Sequence, residues 1–226
     1  MKILHKYIVP VIFLFLLSCG SDDDDNSGID FLGHTWNSVN AGVFSHTQNG
    51  GVLELQLTQN AVWLDASRGG LFYTLIDGDF DLMATVRTTK KEDNSAPPDS
   101  DYSFGGLMVR DPNTGQENYV HLVTGTGNTA IAGPYGYEYK VTTNSASDYQ
   151  ILYDGNWEYD LRISRSGNNF TFYVKPAGSG DQVVWNQILT APLEMSSRAQ
   201  VGFSIYSGST GALADMKVTF SDIRIE

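Results

Sequence analysis

The stretch WEYDLRISRSGNNFTFYVK, residues 157–175, decides the fold class. Trp157, Tyr159, Leu161 and Ile163 alternate with Glu158, Asp160, Arg162 and Ser164, the two-residue period of a strand that buries one face. Ser166-Gly167-Asn168-Asn169 supplies turn chemistry, after which Phe170, Phe172 and Val174 alternate with Thr171, Tyr173 and Lys175. Two such runs joined by so short a turn form an antiparallel hairpin.

The same pattern extends in both directions. Phe80, Leu82, Ala84 and Val86 alternate with Asp81, Met83, Thr85 and Arg87, while Val201, Phe203 and Ile205 precede a last strand marked by Met216, Val218 and Phe220. Leu53–Leu57, Leu71–Ile76, Gly105–Arg110, Tyr119–Thr124, Tyr137–Val141 and Val183–Ile188 bring the total to about ten strands or more, with Gly, Asn, Asp and Ser between them. No segment carries a convincing helical period. So many antiparallel strands, in a chain with one cysteine, must close as two packed sheets or a barrel held by packing alone. No domain boundary appears within 31–226. Lys90–Asp101 (KKEDNSAPPDSD) reads as one long exposed loop that could border a binding face.

The charge balance excludes some partners. Lys and Arg total 14 against 26 Asp and Glu, a formal charge of −12 that repels nucleic acid. Phosphate-loop, His-Glu-x-x-His and Gly-x-Ser-x-Gly motifs are absent from the 226 residues, and the four histidines include no pair with metal-ligand spacing.

At the amino end, Lys2 and Lys6 precede an apolar run from Tyr7 to Leu17, broken only by Pro10. This is the form of a secretory signal. As a helix the run would cover roughly half of a ~30 Å hydrocarbon core, too little for a stable span. Leu16-Leu17-Ser18-Cys19 resembles the bacterial lipobox, which implies cleavage before Cys19 and attachment of a diacylglycerol to the only thiol. The expected organisation is therefore a signal peptide over 1–18, a lipidated Cys19 with an acidic tether over 19–30, and a β-sandwich domain over 31–226. Each buried methylene adds about 0.8 kcal/mol to membrane affinity, so several acyl chains would hold the protein firmly. The tether GSDDDDNSGID lacks large apolar side chains apart from Ile29 and should stay solvated. Its acidic run resembles the surface-export signal of some Gram-negative lipoproteins, which implies an outer-membrane anchor and a surface-exposed domain. Without Lys2 and Lys6 the remainder carries 12 basic and 26 acidic residues, or −14.

Several blocks occur in a familiar order: Gly78-Asp79-Phe80-Asp81, Gly105-Gly106-Leu107-Met108-Val109-Arg110-Asp111, Leu161-Arg162-Ile163-Ser164-Arg165-Ser166-Gly167 with Phe170-Thr171-Phe172-Tyr173, Val201-Gly202-Phe203, and Phe220-Ser221-Asp222-Ile223-Arg224-Ile225. Together, over about residues 50–226, they resemble the concanavalin A-like lectin/glucanase superfamily. More narrowly, they resemble laminin G-like modules and the C-terminal module of some β-xylosidases. The resemblance implies an all-β, two-sheet antiparallel jelly-roll sandwich and contact with glycans.

Retaining glycosidases need two carboxyl groups about 5 to 5.5 Å apart, a spacing that residues two apart on one strand nearly meet. The related glucanases use Glu, one residue, Asp, two residues, Glu. Here Glu158-Tyr159-Asp160-Leu161-Arg162-Ile163 lacks the third acid, and Glu158, Asp160 and Arg162 read as an ordinary solvated strand face. No catalytic residues are assigned. Calcium could be held by Asp77, Asp79 and Asp81, or by Asp111 with Asn113 and Glu117, although Asp-rich turns have the same composition.

Sugar binding needs flat aromatic faces and hydrogen-bonding side chains. Tyr137 and Tyr139 share one face of a strand, as do Tyr119 and His121 of another, and Arg87 and Arg110 end strands expected in one sheet. These six are expected on its concave side. Trp63, Trp157 and Trp185 read as core or rim. The first functional reading is a non-catalytic, carbohydrate-binding envelope lipoprotein that assists glycan capture or degradation. The alternative is a structural or protein-interaction module on the cell surface, and a glycoside hydrolase with a non-standard site comes third.

Overall fold

The computed structural model describes residues 29–226 apart from Thr114 and Asp181. The signal segment, Cys19 and the acidic run Asp22–Asp25 lie outside the described residues. Fifteen strands are described: β1 Ile29–Phe31, β2 His34–Val39, β3 Phe44–Asn49, β4 Val52–Leu57, β5 Gly70–Asp77, β6 Phe80–Thr89, β7 Ser103–Arg110, β8 Tyr119–Thr126, β9 Tyr135–Thr143, β10 Ala146–Tyr153, β11 Glu158–Ser166, β12 Asn169–Pro176, β13 Asn186–Pro192, β14 Arg198–Ser207 and β15 Lys217–Ile225. A 3-10 turn at Ala41–Val43 is the one helical element among the described residues. Two residues assigned to the tether, Ile29 and Asp30, pair with Trp36 and Thr35 and so belong to the fold.

The hairpin of residues 157–175 forms as the alternation requires. Gly167 (φ 59°) and Asn168 are the two loop residues between the paired Ser166 and Asn169, and glycine takes the positive φ at no steric cost. Leu161, Ile163, Phe170 and Phe172 are fully buried, each worth about 1.5–3 kcal/mol of transferred apolar surface. The alternate side chains form polar pairs on the outer face. Arg162 forks Asp81 at 2.8 and 2.9 Å, and Asp160 accepts the Thr85 hydroxyl at 2.6 Å.

Two antiparallel sheets pack face to face as a jelly-roll sandwich. One has eight strands in the order β1-β2-β5-β14-β7-β8-β9-β10, and the other has seven in the order β13-β12-β11-β6-β15-β4-β3. Between them lies the main core, where Trp36 stacks on Phe72 and Phe203, and Phe203 meets Phe220 of the opposite sheet at 4.6 Å.

The eight-stranded sheet is also covered on its outer face. Trp63, from the connection between β4 and β5, packs there with Leu71, Tyr73, Phe104, Met108, Tyr119, Val123 and Tyr206 in a second apolar cluster. All eight positions of β7 and of β8 are consequently buried. Gly69 makes this cover possible, because a Cβ there would come within 2.6 Å of the Trp63 ring.

Candidate functional site

A groove of about 680 Å3 opens where the end of β6, the start of β11 and the end of β12 meet the start of β9. Register brings its charged pair together: Glu158 stands directly opposite Arg87, and Arg87 Nη2 lies 2.6 Å from Glu158 Oε1. Beneath them Tyr159 meets Tyr137 edge to face at 5.4 Å, which joins the two sheets through their aromatic rings. The Tyr159 hydroxyl donates to Asp154 Oδ1. Burial, reinforced by that carboxylate, holds Tyr159 protonated far above the ordinary tyrosine range. Burial likewise raises Tyr137.

The walls combine flat and polar groups. Trp157 is half-buried and braced by Tyr135 at 5.5 Å, while Asn94 and Ser95 come from the long loop after β6. Asn156, Asn186 and Lys175 add donors, and Val184 leaves an aliphatic side chain 87 % exposed at the rim. Such a surface can stack against a ring and hydrogen-bond its hydroxyls. Both carboxylates of the groove already have partners, Glu158 with Arg87 and Asp154 with Tyr159.

The six residues expected on one concave surface occupy three environments. Arg87 and Tyr137 line the groove. Tyr139 shares the inward face with Tyr137, packs toward Phe172 at 6.3 Å and donates its hydroxyl to Gln150. Tyr119, His121 and Arg110 lie on the outer face of the eight-stranded sheet, buried. The expectation that Arg87 and Arg110 share a sheet is therefore corrected, since β6 and β7 cross from one sheet to the other through Lys90–Asp101. Arg110 is fully engaged by Glu117 at 2.7 and 2.9 Å and by Gln200 at 2.6 Å, an internal ion pair with no surface for a ligand.

His121 sits in a buried polar cluster missed in the sequence. Its Nε2 lies 2.8 Å from Glu138 Oε1, which also takes the Tyr206 hydroxyl at 3.0 Å and the Lys140 ammonium at 3.0 Å. Burial lowers the His121 pKa to about 4, and the Lys140 charge acts in the same direction, so the ring is neutral and donates to Glu138. Burial alone would raise Glu138, but the bond from His121 and the Lys140 charge outweigh it and hold the carboxyl below its usual range. The signal was present in Tyr-Glu-Tyr-Lys, since inward tyrosines at 137 and 139 put Glu138 and Lys140 on the face that His121 and Val123 share across the β8–β9 register.

The acids considered for calcium have other partners. Asp81 pairs with Arg162, Asp79 accepts the Gly167 N–H at 2.7 Å, and Asp77 lies 3.8 Å from Arg198. Asp111 accepts from Ser196 and Asn113, and Glu117 is taken by Arg110 and Arg68. Among the described residues, no three His, Cys, Asp or Glu side chains converge as a metal-binding set. Trp63 is core, whereas Trp157 and Trp185 are rim residues, the latter under Lys175 at 4.9 Å.

No protein-family model and no curated protein sequence matches the chain. Solved structures do. A functionally unknown protein from Saccharomyces cerevisiae superposes with a TM-score of 0.63 at 19 % identity, over 80 % of this chain and 91 % of that one. Xylan β-1,4-xylosidase from Bacillus halodurans C-125 gives 0.61 at 15 % identity, over 90 % of this chain but 38 % of the enzyme. Lectin I-B4 from Griffonia simplicifolia gives 0.51 at 12 % identity, over 81 % and 90 %. The chain thus spans little more than a third of the xylosidase's length, and what these likenesses establish is the concanavalin A-like fold.

Proposed function

We propose that this concanavalin A-like sandwich is a non-catalytic, carbohydrate-binding lipoprotein of the cell envelope, held at the outer membrane through Cys19 and displayed at the surface. The observation that carries the binding reading is the groove: Trp157 offers a half-buried ring face, Tyr137 closes the floor, Val184 leaves apolar surface in water, and three asparagines with the Arg87–Glu158 pair offer donors and acceptors. Its volume falls within the roughly 300–1,000 Å3 of ordinary ligand sites. The non-catalytic reading rests on the two groove carboxylates, each of which holds a neighbouring side chain. Anchoring rests on the basic head, apolar run and single thiol of residues 2–19.

Retardation in native gels containing polysaccharide tests the reading. A panel that starts with β-1,4-xylan, the substrate class named for the xylosidase with the matching fold, should contain a polymer that slows the wild-type chain and not Trp157→Ala. Equal migration of both proteins in every polymer would overturn it, and release of reducing sugar from any of them would overturn its non-catalytic part.

A further inference from the structure

The outer face of the eight-stranded sheet holds a second recess, of about 220 Å3, which shares no lining residue with the groove. Leu64, Tyr102 and Tyr149 line it and are each more than a third exposed, three large apolar side chains gathered at one opening. Trp63 and Tyr206 continue the aromatic wall inward. The polar part is Glu138 and Lys140, which stand two residues apart on β9 with Tyr149 of β10 directly opposite Lys140.

The state of these two groups restricts the ligand. Glu138 is 2 % exposed, and its contacts from His121, Lys140 and Tyr206 all go to Oε1, so Oε2 has no partner among the described residues. That oxygen opens to the recess and is free to accept from an incoming O–H. Two of the three Lys140 N–H groups have acceptors, Trp63 O at 2.6 Å and Glu138 Oε1, so one remains to donate. A cation entering here would meet the Lys140 ammonium, which already lies over the Tyr149 and Tyr206 rings at 5.1 and 5.5 Å. An anion would meet the Glu138 carboxylate. What fits is neutral, both donates and accepts through hydroxyls, and presents flat C–H faces to tyrosine. The recess has the volume of about seven waters at ~30 Å3 each, enough room for one six-membered ring.

We propose that this recess binds a single neutral pyranose ring, a terminal or branch unit of a glycan, with Tyr149 as its stacking platform and Glu138 and Lys140 as its hydroxyl partners. The proposal stands on this recess alone and is independent of the groove.

Saturation-transfer NMR on the full chain tests it, with xylose, glucose, galactose and mannose as probes at the millimolar concentrations that shallow polar sites require. At least one should bind, with affinity reduced tenfold or more in Tyr149→Ala, retained in Tyr149→Phe, which keeps the ring face, and unchanged in Trp157→Ala. Tyr149 is exposed, so its loss leaves the fold intact, as the thermal transition of the variant verifies. Absence of binding by all four sugars, binding indifferent to Tyr149→Ala, or tighter binding of glucuronate or glucosamine than of their neutral parents would overturn the proposal. Loss of monosaccharide binding in Trp157→Ala alone would overturn it too and assign the sugar to the groove. Polysaccharide retardation of the same preparations reads the groove separately.

Discussion

Arg87 and Glu158 face each other across neighbouring strands and close a 2.6 Å ion pair inside the groove. Both side chains remain more than a third exposed, so the pair adds at most about 1 kcal/mol to stability. Arg87→Ala should therefore shift Tm by less than about 4 °C in a domain of this size, while polysaccharide retardation weakens. Calorimetry and affinity gels on one preparation check this; a large loss of Tm with unchanged retardation would make the pair structural.

The two faces of the hairpin should respond very differently to substitution. Phe172 is fully buried between the sheets, so Phe172→Ala should cost about 3–5 kcal/mol and lower Tm on the order of 10 °C. Thr171, one residue away on the outer face, shares only an exposed 3.0 Å contact with Thr190, and Thr171→Ala should stay within about 1 kcal/mol. Urea unfolding of both variants measures the contrast.

His121 makes stability fall in mild acid. The unfolded chain takes up this proton near the ordinary pKa of 6.5 and the folded chain only near 4, so between those values the unfolded state binds more protons. Stability contributed by the neutral ring is complete above pH 6.5 and is lost as pH drops to 4, on the order of 3 kcal/mol in all. Glu138, with its pKa held below the usual range, adds a further loss once pH falls below about 4.5. The slope of Tm against pH between 6.5 and 4 should be flatter in His121→Asn than in wild type; identical slopes would remove His121 from the effect.

Lipid attachment has its own test. Wild-type chain should incorporate labelled palmitate and partition with membranes, and Cys19→Ser should do neither. Labelling that survives the substitution would place the acyl chains elsewhere.

The fold was legible wherever a strand has one wet face. Residues 158–176 and 80–89 show their burial as a two-residue alternation because the outer positions carry ion pairs in water. β7 and β8 have no wet face, so Tyr119, His121 and Arg110 looked like surface when they were floor. The segment that covers them, residues 58–69, has no period of its own and acts through one side chain, Trp63. β10 carries little strand signal, because Asn144-Ser145, both at positive φ, is a weaker turn signature than Asn-Gly, and because this edge strand exposes Tyr149 and Tyr153 among polar neighbours. The apolar pair Val183-Val184 marks a strand start three residues ahead of β13, yet both side chains stand outside the sheet in water. Sheet membership of Arg87 and Arg110 depends on where a crossing loop leads, which local pattern does not encode.

The order of the eight-stranded sheet also sets a standoff. The described chain enters at β1, on one margin, and Tyr149, the outermost wall of the recess, lies on β10 at the other, seven interstrand steps or about 34 Å away along the sheet. If the leash from Cys19 feeds in at β1, the domain hangs from one side and offers its far side outward, so a captured sugar is held a full domain width beyond the point of suspension, clear of the lipid headgroups.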